Sequence, residues 1–126
     1  MWRRAAWAGL ALLALPAHAA GTLTLAAPRA LGPHEALVLH VRLGAVHRGT
    51  TILVERADGT LIGAISPYGI VPGNQAGTYT VPLHPADVTN GAVSLRFMVP
   101  TDGGHERPAR EDEVEGATLD TIAVSP

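Results

Sequence analysis

The sequence predicts a small all-β domain, a sandwich of two antiparallel sheets with about seven strands, following a cleaved signal peptide. Three observations carry that reading. From Thr22 onward apolar residues recur every second position, the period of half-buried strands rather than of helices. Fourteen glycines and ten prolines fall mostly between those runs, where they end strands and turn the chain. No stretch is long enough and 3.6-periodic enough to serve as the crossover helix that parallel strands require.

The leader comes first. Met1-Trp2-Arg3-Arg4 is basic, Ala5 to Leu15 is an apolar run too short for a stable bilayer span, and Pro16 precedes the small-x-small triplet Ala17-His18-Ala19. Residues 1–19 therefore read as a signal peptide cut after Ala19, and residues 20–126 as the β-sandwich domain. This implies a periplasmic or secreted protein with no membrane span after cleavage.

Strands are expected at about Thr22 to Ala27, Ala36 to Leu43, Thr51 to Arg56, Thr60 to Ile65, Thr78 to Leu83, Ala92 to Val99 and Thr118 to Val124. In the second, Leu37, Leu39, Val41 and Leu43 share the core face while His40 and Arg42 face water. The sixth places Val93, Leu95, Phe97 and Val99 inward and Ser94 and Arg96 outward. Asp58-Gly59, between two apolar segments, predicts a tight hairpin. Pro85 to Thr89 is the one helical candidate, a single turn opened by proline and ended near Gly91.

Composition narrows the function. There is no cysteine, so thiol chemistry, disulfides and lipoprotein acylation are excluded. The formal net charge is −2, and loss of Arg3 and Arg4 with the leader takes it two further, to −4. The basic patch that nucleic acid or anionic lipid would need is absent. Ser66, Ser94 and Ser125 lie outside any Gly-x-Ser-x-Gly elbow, and the acidic residues cluster in one loop with nothing to hold two of them at a catalytic separation. The chain reads as non-catalytic. Glycan binding is disfavoured because residues 20–126 carry only Tyr68, Tyr79 and Phe97 as aromatics.

Ala76-Gly77-Thr78-Tyr79-Thr80-Val81 resembles the tyrosine-corner region of immunoglobulin-like domains, with Val81 at the cysteine position. The same segment, together with Gly91-Ala92-Val93-Ser94-Leu95-Arg96-Phe97 and the hairpin Val54-Glu55-Arg56-Ala57-Asp58-Gly59-Thr60, is similar to the small periplasmic copper-binding sandwiches of the CopC type. The resemblance covers about half of residues 20–126. It implies an immunoglobulin-like sandwich and, as an alternative function, copper or zinc binding or delivery. That family's ligands include a histidine at the mature amino terminus and an Asp-x-His between the two strands just named. Here the expected terminus is Ala20, and the intervening segment reads His84-Pro85-Ala86-Asp87-Val88-Thr89-Asn90.

Five histidines remain after cleavage, and alternation of antiparallel strands sorts most of their loops between the two ends of the sandwich. His34, Glu35, His84 and Asp87 fall at one end, where His34, His84 and Asp87 are the candidate metal ligands. His47 and His105 fall at the other, about 25 Å or more away at ~3.3 Å per residue. That second end gathers the longest connections, Gly44 to Thr50, Ser66 to Ala76 and Pro100 to Gly116, and with them Tyr68, His47, Arg48, Asn74, Gln75 and His105. One aromatic among polar groups suits recognition of another exported protein, with no cofactor. Tyr68, between Pro67 and Gly69, is either displayed or folded over the core edge. The third loop, with Asp102, Glu106, Glu111, Asp112, Glu113 and Glu115 around Arg107 and Arg110, reads as a solvated connection.

Overall fold

Alternation at period two places one face of each strand in a shared interior, and the computed structural model, which describes residues 22–71 and 73–125, shows eight strands doing so. The leader and its cleavage point lie outside the described residues. The strands are β1 (Leu23–Ala26), β2 (Glu35–Leu43), β3 (Ile52–Arg56), β4 (Leu61–Ile65), β5 (Gly77–Pro82), β6 (Ala92–Pro100), β7 (Glu106–Pro108) and β8 (Val114–Ala123). Helix is confined to single 3-10 turns at Pro85–Asp87 and Asp102–Gly104. No helix among the described residues is long and apolar enough to cross a membrane.

All pairing is antiparallel. One sheet runs β1-β6-β3-β4 with β7 also on β6, and the other runs β5-β2-β8. β1 lies beside β6 and β8 beside β2, so the first and last strands belong to opposite sheets. One edge of β6 is shared, β1 covering Ala92 to Leu95 and β7 covering Met98 to Pro100. The chain then leaves β7, crosses to the other sheet and runs along β2 as β8.

The core lies between the sheets. Leu37, Leu39, Val41 and Leu43 of β2 face Ile52 and Val54 of β3, Ile65 of β4 and Val93, Leu95 and Val99 of β6, all nearly inaccessible to water. Burying a leucine or valine side chain contributes about 1.5–3 kcal/mol, so this cluster supplies the main driving force. Gly63 lets β4 close over β5: a Cβ there would sit 3.0 Å from the Val81 Cγ1 of the opposite sheet. Burial also departs from strict alternation at two places. Val38 is as buried as the inward residues although it points to the far face of β2, where Pro82 and Asp120 are its cross-strand partners. Phe97 packs inward against the core as expected but stays half-buried, and the charged Glu55 of the neighbouring strand is buried.

The Asp58-Gly59 hairpin forms as expected. Arg56 N–H donates to Thr60 C=O at 2.8 Å, Gly59 N–H to Arg56 C=O at 2.9 Å, and Thr60 N–H to the Asp58 carboxylate at 2.9 Å. Gly59 takes φ +93°, a conformation that a side chain disfavours. Those contacts hold the Asp58 carboxyl below its ordinary range, with the Thr60 N–H the largest cause.

Candidate functional site

Strand alternation brings the three long loops to one end, and Gly44 joins them. Its N–H donates to Glu113 C=O at 3.0 Å, and its C=O accepts from Ala76 N–H at 2.9 Å. A Cβ at this position would lie 2.2 Å from the Asp112 carbonyl oxygen, so only glycine permits the approach. Val46, two residues on, is buried and anchors the first loop. Thr51 and Ser66, at the bases of the first and second loops, share a hydroxyl hydrogen bond of 3.0 Å.

An open groove of about 590 Å³ runs between the first two loops, lined by Arg48, Thr50, Thr51, Ser66, Tyr68 and Ile70 among others. A smaller depression of about 250 Å³ lies on the other side of Arg48 and reaches Val99 and Pro100. Tyr68 stands at the tip of its loop with 92% of its surface exposed, and Val71 beside it is 58% exposed. Of the two alternatives for Tyr68, the ring is displayed and does not fold over the core edge. Tyr79, by contrast, is half-buried and donates its hydroxyl to Ala76 C=O, three residues back, at 2.9 Å.

The other residues expected at this end divide by what they already contact. Gln75 donates from Nε2 to the Glu115 carboxylate at 2.8 Å, and so serves to tie the second loop to β8. Asn74 N–H closes a turn on Val71 C=O at 3.0 Å. His47 accepts Thr50 N–H at its carbonyl, and His105 accepts Thr101 N–H at its own; both side chains are exposed. Arg48 is exposed and has no carboxylate partner among the described residues. Arg29, Arg42, Arg56, Arg96, Arg107 and Arg110 each lie within ion-pair reach of an acid.

The third loop corrects the expectation of a solvated connection. Its centre is β7, and Glu113 is 3% exposed, gripped by Arg107 through two bonds of 2.8 Å and by the Arg110 N–H at 2.8 Å. Spacing along the chain did not show this, because Arg107 reaches Glu113 only once β7 has paired with β6. Arg107 is the main reason that the Glu113 carboxyl is held below its ordinary range, outweighing the opposing effect of burial. A second arginine pairs with a buried acid on the outer face of the larger sheet, through a single bond. Arg96 Nε donates at 2.8 Å to the buried Glu55, and a hydrogen bond to Glu55 pushes the Glu106 carboxyl up.

At the opposite end His34, His84 and Asp87 do not come together as a metal-sized cluster, and no group of three or more such donors does so among the described residues. Asp87 is engaged: its carboxylate accepts His84 N–H at 2.9 Å and lies 3.5 Å from the Arg56 guanidinium. Glu35 is bound by Arg29, whose Nη1 donates at 2.6 Å, and that bond draws its carboxyl down to about 2. His34 occupies φ +73°, and its carbonyl accepts Val124 N–H. His40, midway along β2, contacts the Thr80 hydroxyl at 3.0 Å and the Asp120 carboxylate at 3.4 Å, tying three strands on an outer face that neither groove touches.

Sequence reasoning grouped the loops at this end but missed the hydroxyls of Thr50, Thr51 and Ser66 that line the groove. Hydroxyl residues at the end of the first loop and the start of the Tyr68 loop were the available sign. Comparison of the chain with family models, with curated proteins and with solved structures gives no match in any of the three.

Proposed function

We propose that the chain is an exported, non-catalytic accessory domain that binds another periplasmic or secreted protein through the loop end of the sandwich, with Tyr68 as the anchor. The exposure of Tyr68 carries the reading: a tyrosine 92% open to water, on a loop tied at its start to the neighbouring loop through Ser66 and Thr51, adds nothing to the domain's own core. Tyrosine is among the residues most enriched at interfaces, because it brings a large rigid contact area at small entropic cost. Hydrogen bonds at Gly44 and Gln75 brace the surrounding loops, which lowers the ordering cost of association. Export rests on the basic, apolar and small-residue pattern of residues 1–19.

Two measurements test it. A photo-crosslinking residue at position 68 is expected to give one discrete adduct in the cell, and the same residue at position 118, on the outer sheet face, none. Tyr68→Ala is expected to leave Tm within about 3 °C, as at a surface position, while abolishing recovery of the protein found in that adduct. A fall of many degrees, or undiminished recovery, would mean that the ring supports the fold or that this end is not the binding surface.

A further inference from the structure

We infer that the partner enters the Arg48–Tyr68 groove with a carboxylate, which Arg48 receives while Tyr68 packs against the apolar flank of the same segment; this rests on the partner-binding reading above. The observation behind it is a charge left over. Acids outnumber basic residues in the chain, eleven to nine, and every other described arginine lies within ion-pair reach of a carboxylate. Arg48 alone has none, and it lines both depressions of this end.

The surroundings of Arg48 supply the rest of a carboxylate seat. A guanidinium offers a planar fork of donors matched to two carboxylate oxygens, and a hydroxyl can donate to a lone pair left over. Thr50 places such a hydroxyl along the groove, and of Thr51 and Ser66, which are hydrogen-bonded to each other, one keeps its proton for a ligand; the Tyr68 ring and Ile70 form the apolar wall. Isolated exposed ion pairs contribute only about 0–1 kcal/mol, so Arg48 serves mainly to choose the partner and fix its register. A polyanion is disfavoured, because the neighbouring loop carries Asp102, Asp112 and Glu115, all exposed, and would repel a continuous row of negative charge. The groove therefore suits one or two acids in a short peptide segment, either Asp and Glu side chains or a free carboxyl terminus.

The test uses residues 20–126, isotopically labelled, and three acetylated pentapeptides followed by backbone amide NMR shifts. The first is Ala-Glu-Leu-Glu-Ala with an amidated terminus, the second its Gln counterpart, and the third Ala-Ala-Leu-Ala-Ala with a free carboxylate. We expect saturable shifts centred on Arg48, Thr50, Thr51, Ser66 and Tyr68, at a Kd on the order of 1 mM or tighter, from at least one carboxylate peptide and none from the Gln peptide. Which of the two responds identifies the source of the carboxylate. Arg48→Glu is expected to weaken this binding at least tenfold and Arg48→Lys only a few-fold. Equal shifts with the Gln peptide, shifts centred elsewhere, or a response to tetragalacturonate with none to either acidic peptide would overturn the inference. In the cell the two readings separate. A position-68 adduct that persists with Arg48→Glu defeats the carboxylate alone, whereas absence of any adduct with Arg48 intact defeats the partner reading.

Discussion

At the scale of single residues, Gly44 and Arg48 show why identity and context carry different information. Gly44 is required by a contact: with a Cβ it would meet the Asp112 carbonyl oxygen at 2.2 Å, so the chain there would have to part from the third loop. Overpacking of this kind costs about 1–3 kcal/mol, and the two backbone bonds at Gly44 would stretch with it. Gly44→Ala is therefore expected to lower Tm by about 10 °C in thermal unfolding, whereas a change under about 2 °C would show that the loops do not meet there. A glycine at the end of a strand was visible in the sequence as a turn; that it joins three loops was not. Arg48 is the converse. Its type and loop were legible, but its lack of a partner depends on where eleven acids sit after folding.

At the scale of elements, the seven expected strands appear within a few residues of their expected limits, and the eighth, β7, was missed. Glu106-Arg107-Pro108 offers no apolar alternation, since its strand character comes from pairing with Met98 to Pro100. Crowded charge suggested a solvated loop, yet two bonds between Arg107 and the buried Glu113 tie β7 to the start of β8. Removing one partner of a buried pair leaves the other desolvated and uncompensated. Arg107→Ala is accordingly expected to destabilise the domain by about 3 kcal/mol at pH 7, read as the shift in urea midpoint. The sign with pH follows from the lowered carboxyl of Glu113. Its contribution is fully present above the carboxyl's unfolded value and is lost as pH falls toward the folded one. Glu35, drawn down to about 2, behaves the same way, so wild-type stability should fall between about pH 4.5 and 2. In Arg107→Ala that acid slope should be shallower. An unchanged slope would mean that Glu113 is not the group responsible.

At the scale of the whole molecule, the expected export event has a direct readout: mass spectrometry of the protein from a periplasmic extract should show loss of the first 19 residues, and a full-length mass would sink the leader reading. Local sequence pattern was enough for the fold class, the count of long strands, the Asp58-Gly59 hairpin and the grouping of the long loops. Each of these follows from interactions near in sequence, namely side-chain alternation along a pleat, turn residues of fixed φ, and antiparallel succession, which sends alternate loops to opposite ends. Only the tertiary structure decided the crossing from β7 to β8, the burial of Val38, Glu55 and Glu113, the dispersal of His34, His84 and Asp87, and the display of Tyr68 beside an unpaired Arg48. Those depend on partners far away along the chain. His34 and Asp87 meet different neighbours at one end, and Arg48 among the described residues lies out of reach of every acid although acids are in excess, an outcome set by sheet register and close packing rather than by any local pattern.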